Sequence, residues 1–597
     1  MKGKIVWLIL SCLMVLSLVL ASCAAAVEEE EEVVEEEVVE EEVVEEEVVE
    51  EEVVEEEVVE GEPIYGGVLT VLGSDPRGYD PAITDPAYAW VNTMSCNKLI
   101  TGNWWKGPAG TNEWHWDMEL FAPEQYLKGD LAESWERPDA QTVIYYLRQG
   151  VYWQDKPGVM AAREFTADDV VWNYERFNVS PTHYLYAHVA KPDSITALDR
   201  YTVEFKLPIP YTRMQLEILG NFWVLIPPEV VEEYGDMSAW ANVCGTGPYL
   251  FVDFVAGSSL TWERNPNYWE KDLEGRSLPY LDGVHALIIP DASTRLAALQ
   301  TGKIAKSTVD WETAGTLDMT TTELLKYRDL VSSALRLILT CEGPPFGPTL
   351  DPNALLVRRA ANMAIDRFAV AEEYYGGNAV VITSIIPPQF TEVYFAPEEL
   401  PESQRQLFEY NPEEARRLLT LAGYPNGIDI ELHTTSGGAD YCSMIKAYFD
   451  AVGIRTTIKT RESAAHYALQ FGHKMTGVLR AGYSHRYVGW MPAYETNEEG
   501  EFGFVNWGQV YDPYFNEKVK GIFAESDNTK MVELIRELNL YTIDQAYDVV
   551  MPSAARYYYW WPWLKGYHGE GSVGNYSWWT YLRYVWIDPE LKEAMGH

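Results

Sequence analysis

Between Glu28 and Glu62 the chain uses almost nothing but glutamate and valine. The valines come in pairs that begin at Val33, Val38, Val43, Val48, Val53 and Val58. A period of five fits neither regular element. Five residues turn a helix by about 140°, so the valines spiral around it and form no stripe. In a strand an odd period puts successive pairs on alternate faces. With 22 glutamates and no basic residue over that stretch, unbroken negative charge also opposes compaction. The segment is expected to be a solvated, extended spacer.

What precedes it explains why a spacer is needed. "MKGKIVWLILSCLMVLSLVLASC" places Lys2 and Lys4 before an apolar run from Ile5 to Leu20. That run falls short of the ~20 residues of a comfortable span, and its layout is that of a secretion signal. Leu20-Ala21-Ser22-Cys23 resembles a bacterial lipobox. Residues 1–22 are therefore expected to be a lipoprotein signal peptide, with Cys23 the lipid-bearing first residue of the mature chain. Residues 23–62 would hold the rest off the membrane.

Composition bounds the body. The formal charge is −46; without Lys2, Lys4 and the 22 spacer glutamates, −26 remains for residues 63–597. Such acidity argues against nucleic acid, whose backbone needs Lys and Arg. A body this long exceeds one core, so at least two lobes are expected. Past Cys23 the cysteines are Cys96, Cys244, Cys341 and Cys442, none in CxxC spacing. Zinc or thioredoxin-like chemistry is not indicated, and the spacing does not choose among disulfide pairings.

Strands and helices alternate, which indicates an α/β fold. Thr142–Trp153, Tyr201–Leu207 and the run from Val284 read as strands. In "FTADDVVWNYERF", Thr166 is the expected N-cap and Asp169 its box partner. In "NPEEARRLLTLAGYPNG", Asn411 caps, Pro412 opens the helix and Gly423 closes it. "RRAANMAIDRFAVAEEYYGG" from Arg358 reads as one helix ended by Gly376 and Gly377.

The order of these motifs resembles the family 5 solute-binding proteins, the peptide/nickel/oligopeptide receptors of ATP-binding-cassette (ABC) importers. The carrying stretches are "YGGVLTVLGSDPRGYDPA", "DLAESWERPDAQTVIYYLRQGVYWQD", "EFTADDVVWNYERF", "GTGPYLF", "ERNPNYW", "LPYLDGVHALIIPDASTRLAALQTGKI", "VRRAANMAIDR" and "LAGYPNG". They run in the family's order from about Tyr65 to Val585.

The resemblance implies a two-lobed, periplasmic-binding-protein-like α/β fold of type II, with a ligand cleft between lobes. Lobe I would span 63–309, with an extra subdomain at about 101–195. Lobe II would span 310–552, and 553–597 would return to lobe I. It implies a lipid-anchored extracytoplasmic monomer that captures a peptide-like solute by closure and hands it to ABC permease subunits, without a cofactor or metal. An oligosaccharide receptor of the same family, a ligand sensor without transport and an exported hydrolase are the alternatives.

Peptide-binding members usually carry an Asp after the strand that precedes a Trp-containing loop, where it pairs with the peptide's α-amino group. Here the matching stretch is "GVLRAGYSHRYVGWMPAYETNEEGEF", and Gly477–Ala493 holds no acid. Tyr483, His485, Arg486 and Trp490 stand there instead, so the expected ligand presents neutral or anionic groups. If the register slips, Glu495 or Glu498 takes the carboxylate's place. Trp507, Asp75 and Tyr79 complete the candidate ligand set.

Other motifs carry less. "GEGSVG" (569–574) matches GxGxxG, but "NYSWWTYLRYVWI" after it reads as strand, where a dinucleotide site needs a helix. It is expected to be a loop at the lobe I rim. The pairs His466/His473 and His183/His188 lack i,i+4 spacing and nearby acids, against a zinc helix. Aromatics make up 13% of the chain. They serve both core packing and cleft walls.

Overall fold

The computed structural model describes residues 61–83, 91–116, 122–179, 191–208, 210, 216, 219–329, 334–483, 490–496, 500–503, 505–574 and 577–597. Cys23 and the spacer to residue 60 lie outside them, as do His183, His188, His485, Arg486, Glu498 and the side chain of Tyr483. Among the described residues no helix is long and apolar enough to cross a membrane.

Two sheets build the first lobe. In one, Val68–Gly73 pairs in parallel with Gly283–Ile288, and the antiparallel strands Ser259–Arg264 and Tyr249–Val255 follow. Buried Leu69 and Val71 point to the core, the period of two expected of a strand with one covered face. The other sheet is antiparallel, in the order Ala132–Asp139, Thr142–Leu147, Thr202–Lys206, Ser194–Asp199. An edge near 195 would fall within the strand Ser194–Asp199 of this sheet. The expected strand to Trp153 also stops early, at Leu147. The chain turns at Gly150, whose φ of 72° is a left-handed conformation natural to glycine.

The second lobe rests on a five-stranded sheet ordered Ile454–Arg461, Ile428–Thr435, Val478–Tyr483, Ala334–Leu339, Asp548–Val550. Its core gathers Leu337, Val357, Leu432, Ile445, Phe449, Ile454 and Val549. A three-stranded sheet has Arg556–Trp560 at its centre, antiparallel to both Lys306–Val309 and Leu325–Asp329.

Local signals explain the helices. Thr166 and Asp169 form the capping box of Ala167–Asn178, and the Asn411 side chain caps Pro412–Leu421 by accepting from Glu414 N. The helix expected to run on from Arg358 is two pieces. Pro352–Met363 ends, Asp366 accepts from Ala369 N, and Arg367–Ala369 leads into a π turn at Val370–Tyr374. Asp366 restarts the chain, and the buried Arg367 side chain donates to Val550 O and Asn362 O. The stretch after "GEGSVG" is likewise no long strand. Trp579 sits at φ 68°, a 3₁₀ turn covers Thr580–Arg583, and only Trp586–Ile587 is strand. All four described cysteines are buried and unpaired. Cys96 and Cys244 share one small apolar cluster.

Candidate functional site

The three-stranded sheet brings distant segments to one place. Arg556–Trp560 runs between strands that begin and end near residues 306–329, so Thr308 and Tyr558 sit side by side in register. Two cavities meet there, and Thr308 lines both. One, of about 390 Å³, is walled by Leu72, Gly73 and Ser74 of the first sheet, by Lys306 and Tyr558, and by Trp578, Trp579 and Tyr581 near the C-terminus. The other, of about 440 Å³, is walled by Asp310, Ala555 and Arg556 on one side and by Leu335, Tyr375, Arg480 and Gly482 on the other. Small-molecule sites are commonly clefts of about 300–1,000 Å³ between lobes; both cavities have a suitable size, and the second also has the place.

Arg480 is positioned by the strand Val478–Tyr483, where it lies opposite Leu337. Its guanidinium sits 5.5 Å from the Tyr441 ring centroid. Its Nε is buried and has no hydrogen-bond partner among the described residues. Gly438 makes room for it: a Cβ there would lie 2.9 Å from Arg480 Nη1 and 2.3 Å from Thr434 Oγ1. Arg556 is half-buried on its strand. Asp310, the one acid on this wall, is exposed, and its carboxylate accepts from Thr313 N to cap the helix Trp311–Thr320.

Lys306 faces the other cavity. Its Nζ donates to Tyr567 Oη (2.8 Å) and stands over the Tyr567 and Tyr581 rings at 4.3 and 4.7 Å. Burial lowers its pKa to about 7, against the opposing pull of Glu570. Burial in turn raises the Glu570 carboxyl above its ordinary value, with His568 and His115 opposing.

The candidate residues read from the sequence are spread out. Tyr483 ends a cavity-lining strand, with its backbone opposite Ala334. Trp490 is 1% exposed and packs on Tyr494 and Phe515. Trp507 is half-buried under the Arg336 guanidinium and edge-on to Phe471. Asp75 is exposed and accepts from Gly257 N, next to the cavity-lining Ser74. Tyr79 packs against Phe251 and Phe254, and burial with Asp75's charge pushes its hydroxyl up to about 12. Glu495 is nearly buried. Trp490, Trp507, Tyr79 and Glu495 line neither cavity. Arg480, Arg556 and Lys306 were not singled out in the sequence. The signal for Arg480 was a lone cation inside an apolar strand, "GVLRAG"; Arg556 stood hidden at the head of an aromatic run that reads as core.

Among curated proteins, the chain is 27% identical over 370 residues to Heme-binding protein A of Haemophilus influenzae, covering 56% of this chain and 62% of that protein. It is 28% identical over 377 residues to Glutathione-binding protein GsiB of Escherichia coli strain K12, covering 62% and 67%. The chain thus spans about three fifths to two thirds of these relatives' length. Both are named for a solute they bind. Among solved structures, the periplasmic binding protein DppA of Helicobacter pylori, in complex with the peptide STSA, superposes with a TM-score of 0.69 at 23% identity, over 88% of this chain and 98% of that one. The fold is the two-lobed, type II binding-protein fold that the motif order implied. The model of the bacterial extracellular solute-binding proteins, family 5, matches residues 127–524, well over half of the chain. The chain belongs to that family.

Proposed function

We propose that the protein is the extracytoplasmic receptor of an ABC importer, capturing a peptide-like solute in the cleft and delivering it to a membrane permease. The observation that carries this is the 440 Å³ cavity, walled by Thr308 and Arg556 from one lobe and by Leu335, Tyr375 and Arg480 from the other, with the lobe I cavity beside it at Thr308. The relatives' names, a heme binder, a glutathione binder and a peptide-bound DppA, support a solute of that general size.

Closure works by population shift: contacts available only when both walls approach make ligand favour the closed form. The lobes would exchange chain near 306–329 and 553–560. Lobe I would hold 63–309 and 553–597, lobe II 310–552, and the extra subdomain would extend to about 206 rather than 195. The adjacent crossing strands form a narrow joint suited to a hinge. The loop after Tyr483 would reach the cleft, since Gly482 already lines it; Arg486, His485 and Tyr483 would then contact ligand, with Asp75 at the opposite rim. Cys23 would carry the lipid anchor, and the monomer would stand off the membrane on its glutamate spacer.

The test is small-angle scattering and native mass spectrometry on the full chain. A solute that co-purifies and shrinks the radius of gyration on re-addition is the expected result. An unchanged radius at saturation would overturn capture by closure. Cys23→Ser should release the protein from membranes or leave the precursor uncut; fractionation like wild type would overturn the anchor.

A further inference from the structure

The two halves of the cleft differ in chemistry. In the whole chain acids outnumber bases, 91 to 45. On the wall of the 440 Å³ cavity the ratio inverts, with Arg480 and Arg556 against Asp310. Asp310 is engaged as a helix cap. Among the described residues, neither guanidinium has a salt bridge; Arg480 Nε is buried without a hydrogen-bond partner and the group lies over the Tyr441 ring. A guanidinium that loses water without gaining a partner is costly. A planar carboxylate offers the bidentate partner it lacks.

The other half is aromatic. Tyr558, Trp578, Trp579 and Tyr581 line it. Trp579 holds a φ of 68°, an uncommon conformation for a residue with a large side chain; such strain clusters where a side chain is aimed for use. The cation on this side, Lys306, is already engaged by Tyr567. The anionic end therefore belongs at the arginine wall.

We infer that the cleft selects a solute with a carboxylate at one end and a flat ring at the other, the carboxylate on Arg480 and Arg556 and the ring against Tyr558, Trp578 and Trp579. This rests on the receptor reading above and names the class of solute it takes. A neutral oligosaccharide could use the rings and offer hydroxyl oxygens to the guanidiniums, but it brings no counter-charge to the two arginines.

The experiment uses three probes on the full chain, by calorimetry: N-acetyl-Trp-Ala-Ala with a free carboxylate, the same peptide as its amide, and the free acid with Trp replaced by Ala. The free acid should bind at least about tenfold tighter than either analogue, the scale of one charge-assisted contact or one stacked ring. Arg556→Gln should erase the acid-over-amide preference, and Arg556→Lys should restore part of it; thermal melting checks that each variant is folded. Equal binding of acid and amide, or a preference that survives Arg556→Gln, overturns the inference. A parallel arm offers cationic and neutral peptides of equal length. Closure on those alone overturns the inference and leaves the receptor reading standing. Closure on no probe of either arm, nor on any co-purifying solute, overturns both.

Discussion

Two sites in the molecule handle a buried or half-buried guanidinium in different ways. In the first lobe Arg583 is 1% exposed. Its Nη1 donates to Tyr268 Oη at 2.7 Å and lies 3.2 Å from Glu270 Oε2 and 3.4 Å from Asp130 Oδ1. Glu270 also receives Lys128 Nζ at 2.6 Å and the hydroxyls of Tyr268 and Tyr584. Arg583 Nε and Nη2 are buried without hydrogen-bond partners, as Arg480 Nε is, but the charge itself has counter-charges fixed by the same lobe. In the cleft Arg480 and Arg556 have none among the described residues. The difference separates charge that cements a lobe from charge held for something that arrives. Relieving or adding partners in the two places should have opposite consequences, which makes the contrast testable.

The largest effect is expected where a fixed partner is removed. Glu270→Gln leaves Arg583 and Lys128 short of a counter-charge in a dry site. Breaking a buried pair from one side typically costs about 3–5 kcal/mol. Urea unfolding of the full chain should show that loss. A cost below about 1 kcal/mol, the level of an exposed pair, would mean that the cluster is wetter than its burial implies and would erase the contrast.

Acid sharpens it. Burial alone would raise the Glu270 carboxyl, but Arg583 and Lys128 override it and hold the pKa at about 2. The unfolded value is about 4.3. A depressed carboxylate gives stability that is fully present above the unfolded value and is lost as pH falls through the folded one. Stability from this cluster should thus decline between about pH 4.3 and 2, and Glu270→Gln should flatten that part of the curve. Chemical denaturation at a series of pH values reads it; an unchanged acid limb in the variant would assign acid sensitivity to other carboxylates.

Much of the scaffold is legible in the amino-acid sequence, because it is written in local rules. Thr166 with Asp169, and Asn411 with Pro412, announce their helices through donors that only a cap can satisfy. The break before Arg367 was not legible. It depends on Val550, a residue nearly two hundred positions later that accepts from the buried guanidinium. The cleft was harder still. The missing acid in Gly477–Ala493 pointed to a strand that does reach the cavity, and the rings of Trp490 and Trp507 suggested a wall. In the fold both rings turn to packing, on Phe515 and under Arg336. The walls come instead from Tyr558 and Arg556, which reach Thr308 through non-local pairing of the three-stranded sheet, and from Trp578 and Arg480, which other segments bring to the same place. Periodicity reports which face of an element is covered. It does not report which distant element stops short of covering it.

A smaller effect probes the room made for Arg480. Gly438→Ala puts a methyl 2.9 Å from Arg480 Nη1 and 2.3 Å from Thr434 Oγ1. The backbone at Gly438 has φ −104°, which alanine adopts freely, so the strain is one of space alone. The flexible guanidinium should yield by swinging away. Affinity for the acid probe should fall about tenfold, or about 1.4 kcal/mol, and the clash with the buried Thr434 should lower the melting temperature as well. Unchanged affinity would show that the carboxylate does not need Arg480 where it now lies.

The smallest expected change completes the comparison, and its sign matters more than its size. Arg480→Gln and Arg556→Gln remove charges that have no ion pair among the described residues. No buried counter-charge is orphaned, which is what makes the Glu270 substitution costly. Each replaces a partly dehydrated cation with a neutral amide that is cheaper to hold away from water. Packing losses act the other way, since the Arg480 stem and guanidinium cover Tyr441. The two contributions should leave unfolding free energy within about 1 kcal/mol of wild type, in either single variant and in the ligand-free chain. Adding a saturating carboxylate probe should then separate the proteins. Wild type gains stability by mass action as ligand binds only the folded form, and the variants gain less. Urea titrations with and without the probe measure both quantities on one sample. A loss of about 3 kcal/mol or more without ligand, the scale of a broken buried pair, would show that Arg480 or Arg556 has a structural partner after all, and the two arginine sites would no longer differ in kind.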